Sequence, residues 1–210
     1  MSERIDVSRV AEIVAIMGAT GAGKSTYIKG ELRRRKPRRL MIYDPDEEYG
    51  EFGRIVSKLS DVLAVLKAAG TEKGFRLVFR PSADPSKATG QFEALCRMCF
   101  HATGITFVAE ELADVTTPSR APVGWSMLSR RGRKRGMVLF GASQRPASID
   151  KTFLGNATRV RVGVLAYEED AKVCARVLLC DPAELMALPP LHYVERERGK
   201  ETTRGAMKKP

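Results

Sequence analysis

The eight residues Gly18-Ala19-Thr20-Gly21-Ala22-Gly23-Lys24-Ser25 have types and a spacing suited to holding phosphate. They match the pattern G-x-x-x-x-G-K-[ST] in full, with the apolar run IVAIM directly before them and helix-forming residues after. Glycines let the main chain curl around an anion with its N–H groups pointing inward, and the following helix N-terminus adds the positive end of its dipole. On this reading Gly18, Ala19, Thr20, Gly21, Ala22, Gly23, Lys24, Ser25 and Thr26 cradle a nucleotide. Lys24 reaches the β- and γ-phosphates, and the Ser25 hydroxyl is a ligand for Mg²⁺.

Two further clusters give that cradle a reaction. Ile105-Thr106-Phe107-Val108-Ala109 is an apolar strand-like run that stops at Glu110-Glu111. A carboxylate at such a strand tip can hold the metal, and a second can take a proton from the attacking water. Glu110 is assigned to the metal and Glu111 to the base. The second cluster, Val138-Leu139-Phe140-Gly141-Ala142-Ser143-Gln144, puts an amide where it can sense the γ-phosphate or position the water, and Gln144 is the residue chosen. The guanine-reading pattern N-K-x-D does not occur in the chain, so ATP is preferred to GTP.

Alternating strands and helices are needed to bring these tips together. Short apolar runs at 13–17, 40–43, 75–79, 105–109, 138–142 and 159–165 read as strands. Helical patterns fall at about 23–34, 60–69, 91–101, 125–135 and 168–179. Buried strands separated by helices predict an α/β fold, a mainly parallel sheet covered on both faces. Segments 191–197 and 202–207 flank Arg198-Gly199-Lys200 and read as a hairpin. The expected division is an ATPase domain over 1–188 and a hairpin with a basic tail over 189–210, either in the same domain or appended to it.

Length and charge bound the rest. The 210 residues suffice for one domain with a sizeable core. There are 36 Lys and Arg against 25 Asp and Glu, a net charge of +11, so the partner is expected to be a polyanion, nucleic acid ahead of acidic membrane. No apolar run is long enough for a membrane span, and the N-terminus, with acidic residues ahead of a very short apolar stretch, does not read as a signal peptide. The four cysteines are expected to be reduced thiols and the chain cytoplasmic. Cys96-x-x-Cys99 followed by His101 lies in an apolar helical pattern with no second ligand pair, so these are read as core thiols rather than a zinc site. His192 and Trp125 are read as structural.

Together the motifs GATGAGKST, IYDPDEEYG, ITFVAEELADVTTPSRAP and GWSMLSRRGRKRGMVLFGASQRP, with ASIDKTFLGNATRVRVG after them, resemble the FtsK–HerA superfamily of DNA-pumping ATPases. Within it the chain looks most like the genome-packaging ATPases of tailless, membrane-containing icosahedral viruses. The resemblance implies a RecA-like P-loop sheet in which the Gln144 strand lies between the phosphate-loop strand and the Glu110 strand. It implies ATP and Mg²⁺ as cofactors and a ring oligomer, a hexamer or pentamer, that threads double-stranded DNA. A capsid vertex or membrane proteins would be further partners, and the host cytoplasm or the virion's packaging vertex the location. The family reads Asp-Glu where this chain has Glu110-Glu111, and the extra methylene bears on whether Glu110 meets the metal directly or through water. The absence of a membrane segment favours the packaging branch over the assembly proteins of filamentous phages. A cellular or mobile-element motor, or a nucleotide-gated assembly or secretion factor, remain as alternatives.

The resemblance also implies an arginine finger acting on the neighbouring subunit's nucleotide. Arg133 is the first choice and Arg130 the second, with Arg120 and Arg145 also candidates. They stand in or near Arg130-Arg131-Gly132-Arg133-Lys134-Arg135, five basic residues in six; a second cluster, Arg33-Arg34-Arg35-Lys36-Pro37-Arg38-Arg39, has six in seven. Both clusters also suit helix C-termini, where cations are favoured. DNA contacts of such a motor are expected to be to phosphates and indifferent to sequence. The basic end over 196–210 would line a channel, bind a capsid partner or simply be solvated. Asp44 and the acidic residues after it either approach the nucleotide or a neighbouring subunit, or form a plain acidic loop.

Overall fold

Alternate residues of the central strands point to opposite sides of one sheet, and both sides are apolar. In the computed structural model, which describes residues 12–207, β1 (Glu12–Met17) sends Ile13, Ala15 and Met17 into one buried cluster and Val14 and Ile16 into another. The same alternation runs through β2 (Arg39–Tyr43), β5 (Thr106–Ala109) and β6 (Val138–Ser143). Burial on both faces explains why these strands read as continuous apolar runs. The N-terminal segment before residue 12, and Lys208 and Lys209 of the basic end, lie outside the described residues.

The nine strands are ordered β3-β4-β2-β5-β6-β1-β7-β8-β9, where β3 is Arg54–Val56, β4 Phe75–Phe79, β7 Arg159–Val162, β8 His192–Glu197 and β9 Thr202–Ala206. The first seven in that order are parallel; β8 and β9 join antiparallel. The expected position of the Gln144 strand is therefore observed, since β6 lies between β1 and β5. The C-terminal hairpin continues the main sheet through β7 instead of standing beside it.

The covering layers are unequal. One face is packed by α2 (Leu59–Ala69), α3 (Pro85–Ala102), α4 (Leu112–Val115), α5 (Val123–Arg131), α6 (Lys151–Asn156), α7 (Glu168–Leu178) and α8 (Pro182–Met186). Trp125 is fully buried there, its ring 5.1 to 6.3 Å from those of Phe92, Phe107 and Phe153, so its reading as a packing residue holds. Cys96, Cys99 and Cys174 are buried in the same layer, and the thiols of all four cysteines are free. On the other face the only α-helix among the described residues is α1 (Lys24–Arg35), through Ile28 and Leu32, with Tyr49 and Phe52, the latter in a single 3₁₀ turn, filling the space beside it.

The boundaries differ from expectation at places with local causes. α3 begins six residues earlier than its apolar pattern suggests, because the Asp84 side chain accepts from Ser86 N and Pro85 occupies the first turn. α5 stops at Arg131 and passes into a 3₁₀ turn, Gly132–Arg135, where the expected helix continued. β7 ends at Val162, since Gly163 N turns to donate to Met17 O and Ala19 N donates to Val164 O. β3, α4, α6 and α8 were not expected.

α3 and α5 approach closely at Gly124. Its N–H donates to Glu93 Oε2 at 2.6 Å, and a Cβ there would lie 2.5 Å from Glu93 O and 3.0 Å from Arg97 N. Those obstacles are backbone and cannot swing aside. Gly124→Ala should therefore destabilise the fold by about 1–3 kcal/mol, measured by chemical denaturation, with the site's own residues untouched.

Candidate active site

The C-terminal ends of β1, β5 and β6 share one edge of the sheet because the three strands are parallel and in register. Chain segments leaving that edge enclose a cleft of about 450 Å³. It is lined by the phosphate loop, by Lys29, by Asp44, Asp46, Glu48 and Tyr49 after β2, by Glu110 and Glu111 after β5, by Gln144 after β6, and by Leu191.

The loop has the backbone its glycines allow. Gly18, Gly21 and Gly23 all take positive φ, 156°, 78° and 88°, and Gly23 leads directly into α1. Lys24 is buried and its Nζ donates to Gly18 O at 3.0 Å, which draws the side chain back over the loop. The same Nζ lies 3.9 Å from Glu111 Oε1.

Glu111 is held from several sides. Gln144 Nε2 donates to its Oε1 at 3.0 Å, and Gln144 N reaches its Oε2 at 3.4 Å. Thr20 Oγ1 in turn donates to Gln144 Oε1 at 2.7 Å. A chain of hydrogen bonds thus runs from the phosphate loop through the amide to the carboxylate. Glu111 also has a left-handed backbone, φ 44°, rare for a residue with a side chain and a conformation that concentrates at working sites. That turn swings Glu111 toward Gln144 while Glu110 stays inside.

Glu110 is only 5% exposed, and Tyr49 donates its hydroxyl to Glu110 Oε1, with Ser25 close to the same hydroxyl. Burial pushes the Glu110 carboxyl up to about 7; the Glu111 charge adds to this, while the Tyr49 hydrogen bond and Lys24 oppose it. Tyr49 is placed by Asp44, fully buried, whose two oxygens accept from Glu48 N at 2.9 Å and Tyr49 N at 3.1 Å. Asp44 thus organises the acidic loop, and burial raises its own carboxyl above the usual range. Sequence reasoning placed Tyr49 in the acidic motif but gave it no role; the signal available was an aromatic residue closing an Asp-Pro-initiated turn.

The oxygen donors suit a small hard cation. Among the described residues no three Asp, Glu, His or Cys side chains converge to hold a metal unaided. Ser25 and Glu110 do face one cleft beside the phosphate cradle. Mg²⁺ commonly takes one or two protein oxygens and completes its shell with phosphate and water, so the residues present fit it.

The arginines are elsewhere. Arg133, exposed in the 3₁₀ turn, lies at the N-terminal end of β6, across the sheet from the cleft. Its guanidinium makes no ion pair or hydrogen bond among the described residues. Arg130 reaches Thr152 Oγ1 at 3.5 Å. Arg145 follows Gln144, but its Nε donates to Asp170 at 2.8 Å and its guanidinium lies 4.1 Å from the Tyr167 ring centre. Arg120 is exposed in the loop between α4 and α5. None of the four lines the cleft of its own chain. In the other basic cluster Arg33, Arg34, Arg35 and Arg39 find partners within the chain, among them Glu51, Glu31, Glu12 and two backbone carbonyls. His192 is exposed, its Nδ1 3.1 Å from Pro190 O.

No family model matches the chain. It is 34% identical over 143 residues to protein P9 of Pseudoalteromonas phage PM2, a match covering 66% of this chain and 62% of that protein, less than two thirds of its length. The genome packaging NTPase B204 of Sulfolobus turreted icosahedral virus 2, in complex with ATP-gammaS, has a TM-score of 0.70 at 15% identity, over 92% of this chain and 96% of that one. VirB4 of Thermoanaerobacter pseudethanolicus has a TM-score of 0.65 at 14% identity, over 94% and 89%. The resemblance drawn from the motifs holds at the level of the fold. No helix of the described residues is long and apolar enough to cross a membrane.

The raised Glu110 carboxyl has a measurable consequence. Between pH about 4.5, its ordinary value, and pH 7 the unfolded chain has lost a proton that the folded chain keeps, so this group's contribution to stability falls as pH rises through that window. Glu110→Gln, neutral at every pH and still able to accept from Tyr49, should stabilise the protein at pH 8, by on the order of 3 kcal/mol, and change it little at pH 4. Thermal unfolding of both proteins across that range checks the sign.

Proposed function

We propose that this chain is the ATPase of a viral genome-packaging motor of the FtsK–HerA type, hydrolysing ATP to drive double-stranded DNA into a preformed capsid. The observation that carries this reading is the Thr20–Gln144–Glu111 chain of hydrogen bonds across the phosphate loop, in a fold shared with the packaging NTPase B204. The 34% identity to a phage protein supports a viral setting.

In this reading the loop amides and Lys24 bind the β- and γ-phosphates, and Lys24 Nζ exchanges Gly18 O for phosphate oxygen. Glu111, fixed through Gln144, takes the proton of the attacking water. Gln144, bonded to both Thr20 of the phosphate loop and Glu111, would report on whether a γ-phosphate is present. Mg²⁺ would be held by the Ser25 hydroxyl and by Glu110, directly or through water, and would supply positive charge beside the transferring phosphoryl group. To serve as a ligand Glu110 would need to be ionised and to share the oxygen that accepts from Tyr49, which would link metal binding to the acidic loop after β2. The hairpin after residue 188 belongs on this reading to the same domain, the rest of which forms the ATPase body.

The finger is supplied between subunits. Arg133 has no partner among the described residues and stands at the end of β6 far from its own cleft, which leaves it available to a neighbour's. Arg130 is second. Arg120 and Arg145, the latter next in sequence to the cleft-lining Gln144, follow. The DNA is gripped by phosphate contacts, so its effect on the enzyme is sensitive to salt.

Three outcomes are expected. Glu111→Gln should abolish turnover and leave nucleotide affinity intact, separating the base from the cradle by single-turnover hydrolysis and equilibrium binding. Lys24→Ala and Arg133→Ala should each lose activity, the latter by about 10³ or more. Mixing the two should restore part of the rate, because a mixed ring contains sites with a good loop and a good finger. The ATPase rate of the wild-type protein should rise with double-stranded DNA and lose that stimulation as salt is raised; a rate indifferent to DNA at low salt contradicts the packaging reading.

A further inference from the structure

We propose that Leu191, backed by Met207 from the other end of the C-terminal hairpin, forms the shelf on which the purine base of the nucleotide rests. This inference depends on the nucleotide reading above and adds to it the part of the site that recognises something other than phosphate.

The order of strands sets the direction of the ligand. Gln144, Glu110 and Glu111 stand on one side of the phosphate loop, at the tips of β6 and β5. A triphosphate whose terminal group meets those residues extends its other end across the tip of β1 toward β7 and β8. Leu191, immediately before β8, stands on that side and lines the cleft. Only two large side chains with substantial apolar surface line the cleft, Tyr49 and Leu191. Tyr49 is engaged with Glu110 on the side of the acids. Leu191 is therefore the one such surface at the end where the base arrives, and a flat heterocycle leaving water needs such a surface.

The shelf is built into the backbone. Leu191 has φ 61°, a left-handed conformation that costs a branched side chain energy and is otherwise given to Gly or Asn. Its carbonyl accepts from Met207 N at 2.9 Å, closing the hairpin beyond its last strand pair. Both side chains then reach Gly23 of the phosphate loop: a Cβ on Gly23 would lie 2.1 Å from Met207 Cε and 3.2 Å from Leu191 Cδ2. The glycine at that position thus serves two ends, the turn into α1 and the close seat of an apolar pair against the loop. Met207 backs Leu191 with a polarizable thioether, which adapts to its neighbours.

The test uses Leu191→Gly, which removes the shelf while suiting the left-handed backbone, so that folding is not the variable. Calorimetric titration with adenosine 5′-(β,γ-methylene)triphosphate, and separately with inorganic tripolyphosphate, both with Mg²⁺, is run on the wild type, Leu191→Gly and Lys24→Ala. The expected result is about tenfold weaker nucleotide binding in Leu191→Gly with tripolyphosphate affinity unchanged, whereas Lys24→Ala loses both. Nucleotide affinity equal to wild type in Leu191→Gly overturns the shelf and leaves the phosphate cradle standing. Equal loss of both ligands also overturns it, since the residue would then act on the loop alone. Failure of the wild type to bind either ligand overturns the nucleotide reading itself.

Discussion

Everything at the cleft depends on the register of three parallel strands. β6 is paired with β1 along six residues and with β5 along four, so the chain leaves all three at the same height. Only with that pairing can an amide from one strand bridge a carboxylate from a second and a hydroxyl from the loop after the third. A slip of one residue in β6 would also turn Phe140 and Ala142 out of one apolar layer and Leu139 out of the other, so packing on both faces enforces the alignment that the chemistry needs.

Inside the cleft the two neighbouring carboxylates are driven apart by their backbones. Glu110 continues the strand inward and is desolvated; Glu111 takes a left-handed turn and is tied to polar partners. The same residue type is thereby given two environments within one peptide step, and burial raises the carboxyl of the inner one, Glu110. Asp44 and Tyr49 complete the inner environment from the loop after β2. An acidic stretch whose sequence left its place open contributes a buried strut through Asp44 and Tyr49.

Much of this was legible in the sequence, and for identifiable reasons. The apolar runs predicted β1, β2, β4, β5 and β6 to within a residue or so at either end because strands buried on both faces leave no alternative composition. The phosphate loop was legible because few residue types satisfy its geometry. β3 was missed since Arg54 and Ile55 are exposed and only Val56 is buried, leaving no run to see. The start of α3 was missed although Asp84-Pro85 announces it. The bond of Tyr49 to Glu110 spans 61 positions, and the seating of Leu191 and Met207 on Gly23 spans more, so neither leaves a local pattern. The basic clusters were half legible: the sequence shows the charge, but which cations are already neutralised by Glu12, Glu31 and Glu51 is decided by tertiary contact.

The unequal layers have a mechanical corollary. Seven helices share one face, whereas α1 stands alone among the described residues on the other, and the phosphate loop is that helix's own leader. Trimming Ile28 or Leu32 would open a void beneath the very rod whose tip grasps the anion, with no second helix to take up the slack. Robustness of that hydrophobic layer and grip on the ligand are consequently one property, inherited through twelve residues of helix rather than distributed over the molecule.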